Sequence, residues 1–167
     1  MTRSRSRAWR PAAAAMAVGL LASCSSTAPA DDTTTVMAAF YPLEYVAGEV
    51  GGSSVTVESL TPAGAEPHDV ELSPQQIASI DDADLILYIK GFQPAIDEAV
   101  AQVAPDRAVD VSQGITLLTA PGSESGVDPH IWLDPDNMRV IAATVRDRLA
   151  AVSPADEASY TTAKDQL

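Results

Sequence analysis

The order of apolar and polar positions changes character several times along the chain, and each change marks an element. Residues 35–40 (TVMAAF) form a short apolar run, and residues 42–50 continue with helical spacing until Gly51-Gly52. Val55-Thr56-Val57 alternates as a strand does, whereas residues 85–89 (LILYI) are continuously apolar, as in a central strand covered on both faces. Between them Ser73-Pro74-Gln75-Gln76 predicts a helix start. Serine is the N-cap, proline takes the first helical position and glutamine the third, which makes a capping box. Ile77 and Ile80 of that helix are expected on one face. Residues 94–103 repeat the theme with Ile96, Val100 and Val103 on one stripe. Residues 108–111 and 115–118 read as short strands. Asp134-Pro135 then opens a longer helix whose Met138, Ile141, Val145 and Leu149 recur every three or four residues. Ser153-Pro154 starts another helix that meets no glycine or proline before Leu167. Strands alternating with helices predict an α/β fold, a mainly parallel sheet flanked by helices.

The first 23 residues follow a different rule. Arg3, Arg5, Arg7 and Arg10 form a basic head, and residues 12–21 an apolar run too short to span a bilayer. Residues 1–23 therefore read as a secretory signal. The closing Leu21-Ala22-Ser23-Cys24 resembles a bacterial lipobox, in which cleavage precedes a cysteine that receives diacylglycerol. Two acyl chains give durable membrane attachment where one would be marginal. Cys24 is the single cysteine, so once lipidated the chain can form no internal disulfide. Residues 24–33 read as a flexible tether.

Composition then narrows the partners. With 167 residues, 46% of them hydrophobic, the chain can build one packed domain. Removing residues 1–23 takes four of the 10 basic residues and none of the 23 acidic ones, which leaves a net charge of −17. Such a surface repels nucleic acid and anionic lipid and attracts cations only diffusely. Acidity permits metal capture without establishing it.

Two histidines carry the candidate chemistry. His68 lies in GAEPHDVELSP (residues 64–74) and His130 in GVDPHIWLDP (residues 126–135). Each follows a proline, which restricts the backbone and helps aim the imidazole. Each is expected in a loop that leaves the carboxyl end of a strand, His68 after one ending near Leu60 and His130 after one ending near Leu118. In open parallel sheets that edge binds ligands. Neutral imidazole suits zinc and several other divalent metals. Glu66, Asp69, Asp128 and Asp134 can accept the other ring N–H or shape the local field. Plainer explanations stand beside these. A loop histidine can be without consequence, Asp134 can be only an N-cap, and Trp132 can be a packing residue that also shields the site from water. The histidines are 62 residues apart, so only the fold can pair them.

The same segments carry a family resemblance. The histidine in its Pro-His-Asp-x-Glu-x-Ser-Pro setting, Tyr88 to Gly91 after the central strand, and Trp132-Leu133-Asp134-Pro135 resemble the solute-binding lipoproteins of zinc and manganese ABC importers. The resemblance covers roughly residues 34–167. It implies a two-lobed metal-binding protein in which residues 34–152 form the N-terminal lobe and His68 and His130 are its two metal ligands. It also implies that residues 153–167 begin a long helix joining that lobe to a second one, which this chain does not contain and which supplies the remaining ligands. Zinc members often carry a histidine-rich loop between the two motifs; residues 119–128 (TAPGSESGVD) have no histidine. The imidazoles favour zinc, with manganese the alternative. A permease in the membrane is the implied partner.

Two rival functions remain open on sequence. A secreted metallo-hydrolase needs an open coordination position and a general base. The chain has no H-E-x-x-H motif, and residues 122–126 (GSESG) put glutamate where G-x-S-x-G needs its nucleophile. A surface adhesin with a structural metal, or none, is the other rival.

Overall fold

The computed structural model describes residues 33–122 and 126–167. The largely buried β1 (Thr34–Ala38) and the apolar β3 (Leu85–Tyr88) lie side by side in the middle of a four-stranded sheet. Their flanks are β2 (Val55–Ser59), whose residues alternate between half-buried and exposed, and the short β4 (Ala108–Asp110). The order is β2-β1-β3-β4 and every pairing is parallel, with Val36 opposite Val57, Met37 opposite Ile86 and Leu87 opposite Val109. Pattern and position agree here. Strands apolar on both faces are central, and the alternating one is at an edge.

Among the described residues five helices cover the sheet: α1 (Tyr41–Gly51), α2 (Pro74–Asp82), α3 (Pro94–Val103), α4 (Pro135–Val152) and α5 (Glu157–Gln166). The first four carry proline in the opening turn, where its missing N–H costs no helical bond. Right-handed crossovers decide the layers. The chain steps from β1 to β2 in one direction and from β2 to β3 to β4 in the other, so α1 falls on one face and α2 with α3 on the opposite face. Helices α4 and α5 pack on α1. Leu43, Val46 and Val50 of α1, Ile141, Val145 and Leu149 of α4, and Tyr160 of α5 are fully buried between them. Each such aliphatic side chain contributes about 1.5–3 kcal/mol relative to an exposed one.

Gly51-Gly52 ends α1 for two separate reasons. A Cβ on Gly51 would lie 2.3 Å from Val55 Cγ2, and Gly52 sits at φ +56. Both are glycine positions, one by close approach and the other by conformation.

Two expectations need correcting. Residues 115–118 are not a strand: the nearest regular pairing is an isolated antiparallel bridge between Thr119 and Val127. Ile115 and Leu117 instead lay their side chains against the core from a loop, and Leu118 is exposed. His130 therefore follows β4 through a long loop, and no strand ends at Leu118. In α2, Ile80 is buried while Ile77 turns outward and is exposed, so the two do not share one buried face.

Candidate metal centre

The direction of the chain reverses between β1 and β3, and that reversal opens a crevice above their carboxyl ends. The segment leaving β1 brings Phe40 into it, and the turn leaving β3 brings Phe92. These rings meet edge to face with centroids 5.1 Å apart. Trp132 joins them, 4.6 Å from Phe40 and 5.3 Å from Phe92. The crevice thus has an aromatic floor, and the two histidines stand on it. His68 meets Phe92 edge to face at 4.6 Å, and His130 lies 5.1 Å from Trp132.

The imidazole centroids of His68 and His130 are 5.5 Å apart, with the rings inclined at 57°. Two imidazoles on one tetrahedral zinc, with Zn–N bonds of about 2.0–2.1 Å, put their centroids about 5 Å apart. One divalent cation can therefore bridge this pair. The fold closes a gap of 62 residues to that distance. Both histidines are exposed at the edge of the described residues.

Each histidine has its own local support. His68 sits in a short 3-10 turn, Pro67–Asp69, capped by Glu66, whose carboxylate accepts the backbone N–H of His68 at 3.4 Å. His130 precedes a second such turn, Ile131–Leu133, and is gripped by Asp128. One oxygen, Asp128 Oδ1, takes the His130 backbone N–H at 3.0 Å and lies 2.6 Å from ring Nδ1. An ionised carboxylate is only an acceptor, so Nδ1 carries the proton and Nε2 is left with its lone pair. That tautomer can bind a metal through Nε2. The same bonds, the backbone N–H first and the ring second, hold the Asp128 carboxyl below its ordinary range.

The other candidate acids do different work. Asp134 Oδ1 accepts the Asp136 N–H at 2.8 Å as the N-cap of α4, so it serves the helix and not the imidazole. Glu66 serves the His68 backbone. The Asp69 side chain is exposed and makes no hydrogen bond or ion pair among the described residues. No cluster of three or more His, Cys, Asp or Glu side chains able to hold a metal occurs among the described residues. Cys24 lies outside them. Phe40, Phe92 and Gln93 were not anticipated from sequence. The one available signal was that both phenylalanines of the chain come within a few residues after central strands.

Fold and site together place two imidazoles in one crevice at the switch point of a parallel α/β sheet. The family model described as "Zinc-uptake complex component A periplasmic" (ZnuA) matches residues 36–167, and the chain belongs to this family. It is 28% identical over 149 residues to the zinc-binding lipoprotein AdcA of Streptococcus pneumoniae, covering 80% of this chain and 30% of AdcA. It is 29% identical over 143 residues to the manganese-binding lipoprotein MntA of Halalkalibacterium halodurans, covering 84% and 47%. The crystal structure of the metal-dependent lipoprotein YcdH from Bacillus subtilis superposes with a TM-score of 0.72 at 26% identity, covering 80% of this chain and 50% of that one. The chain thus spans half or less of the length of these three proteins.

Proposed function

We propose that this chain is the metal-capturing part of an extracytoplasmic solute-binding lipoprotein of an ABC importer. His68 and His130 contribute two nitrogens to a divalent cation, which the protein delivers to a membrane permease. The observation that carries the reading is the 5.5 Å approach of the two imidazoles at the sheet's switch point. Family membership supports transport over catalysis, since the matching model describes an uptake component. Zinc is the favoured cargo because borderline-soft imidazole suits it. Manganese is the alternative, and relatives are named for both metals. Lipidation at Cys24 anchors the protein to the outer face of the cell membrane, and residues 153–167 begin the helix that leads to a second lobe. Asp128 orients His130, as outer partners of metal-bound histidines do.

The test is a competition titration of the chain and its His68→Ala and His130→Ala variants against a chromogenic chelator, with Zn2+ and Mn2+ in turn. Each variant is expected to lose most of the site binding, with the larger loss for the physiological metal. Unchanged affinity in both variants would remove the histidine pair from the function.

A further inference from the structure

A buried glutamine beside the site has no part in the account so far. Gln93 is 2% exposed and occupies the N-cap position of α3, yet its side chain does not cap that helix. Both of its donated bonds go elsewhere. Nε2 donates to the Pro67 carbonyl at 2.9 Å and to Thr61 Oγ1 at 3.0 Å. The hydroxyl of Thr61, itself 8% exposed, donates to the Ala39 carbonyl at 2.7 Å. The Pro67 carbonyl can only accept, which fixes the orientation of the amide. Among the described residues its Oε1 is then left buried without a partner, a loss that an apolar side chain of similar length would avoid. A residue poorly suited to capping, carrying an unpaired buried oxygen, is in place for its two N–H bonds.

Those bonds end on the histidine loop. The Pro67 carbonyl and the His68 N–H belong to one planar peptide. Gln93 holds its oxygen, and Glu66 accepts its N–H at 3.4 Å. With both ends of the plane held, the N and Cα of His68 are fixed in place, and only rotation beyond them is left to aim the side chain. Phe92, the neighbour of Gln93, stands against the imidazole ring at 4.6 Å. One turn after β3 therefore grips His68 twice, by its backbone and by its ring. Thr61 ties that grip to the end of β1. His130 has its own holder in Asp128, and Gln93 is the corresponding support on the other side of the site.

We infer that Gln93 is a positioning residue for metal capture: its amide, through the Pro67 carbonyl, holds the His68 imidazole at bridging distance from His130. The inference rests on the reading of His68 as a ligand. Binding constellations tolerate only about 0.5 Å of play, which an exposed loop does not achieve without such support.

The experiment uses the full chain and its Gln93→Met and Thr61→Val variants, each alone and combined with His68→Ala. Gln93→Met keeps the volume and removes both donors. Without metal, the His68 ring protons are expected at shifted NMR positions set by Phe92. They should move toward free-histidine values in Gln93→Met, while those of His130 stay in place. Zn2+ affinity is expected to fall about 10–100-fold, the range for loss of an outer partner of a metal-bound histidine. Thr61→Val should act in the same direction and less strongly, and it carries the test if Gln93→Met does not fold. In the His68→Ala background neither substitution should lower affinity further. A folded Gln93→Met chain with His68 shifts and Zn2+ affinity unchanged overturns the inference. So does an equal loss with and without His68, which would mark a general effect on the fold. If His68→Ala alone leaves affinity unchanged, the ligand reading fails, and the ring shifts then decide the positioning claim by themselves.

Discussion

At the scale of single residues, Asp128 and Gln93 solve the same problem by different chemistry. Asp128 is charged, half-buried and directly on the imidazole, while Gln93 is neutral, buried and one peptide removed. Asp128 donates nothing, so its bond dictates which ring nitrogen of His130 keeps the proton. Asp128→Asn replaces that acceptor with an amide that can turn either its oxygen or its NH2 toward Nδ1, and the tautomer is no longer enforced. Zn2+ affinity is expected to fall about 10–100-fold with the secondary structure intact. Because the two N–H donors of His130 depress the Asp128 carboxyl below its ordinary value, whatever it adds to folding is present above that value. It is lost only as pH falls through the depressed one. Metal released on acidification above the ordinary carboxylate range therefore does not report loss of this bond. A chelator titration of Asp128→Asn and the parent chain at neutral and mildly acidic pH checks both points. Equal affinities at neutral pH would show that the carboxylate does not support the site.

At the scale of elements, the seat of α5 depends on one side chain. Tyr160 is fully buried, and among the described residues its hydroxyl has no partner at full hydrogen-bond geometry, although Ser153, Ser54 and Thr34 lie close enough to hold its pKa down. Burial above all, with help from the charge of Asp156 and against the pull of the Ser153 hydroxyl, raises its pKa above the ordinary tyrosine value. A raised value favours the neutral phenol. Its contribution to stability is complete below the ordinary tyrosine value and is lost as pH rises through the folded one. Tyr160→Phe removes an unpaired hydroxyl and keeps the ring. At neutral pH the variant is expected to match the parent or gain about 1 kcal/mol. Above about pH 10 it should lose less stability than the parent does. Urea midpoints at about pH 8 and about pH 11 measure both effects, and a variant clearly weaker at pH 8 would mean that the hydroxyl is paired. Elements such as this one were largely legible in sequence because they are locally encoded. The Ser73–Gln76 capping box is present in full, and the stripe of Ile141, Val145 and Leu149 is buried. Residues 115–118 misled for a physical reason. A short, mostly apolar run looks alike whether it pairs in a ladder or lays alternate side chains on the core from a loop. The aromatic floor and Gln93 were not legible, since Phe40, Phe92 and Trp132 meet only because the strand order brings β1 and β3 together. No local pattern reports that.

At the scale of the whole molecule, the described residues present two imidazoles on an open edge and no group of three or more side chains able to hold a metal. Closed zinc sites use four protein ligands. Two nitrogens leave the remaining positions to water, and the exposed histidines give the ion no shelter from solvent. The chain also carries a formal charge of −13, which draws cations to the surface without a site. The two contributions can be separated by salt. Surface attraction is screened over about 8 Å at physiological ionic strength and over about 3 Å at 1 M, whereas coordination by the neutral nitrogens of His68 and His130 is not. The 167-residue chain is therefore expected to bind Zn2+ no more tightly than about micromolar, near −8 kcal/mol. Part of the binding seen in dilute buffer should vanish in about 0.5 M NaCl. The part that remains should be the part abolished by His68→Ala and His130→Ala. A protein of the relatives' length, with further ligands facing this edge, should bind far more tightly and depend less on salt. Calorimetric titration of both lengths at low and high salt measures this. Nanomolar binding by the short chain in high salt would show that its two histidines, with water, already make a complete site.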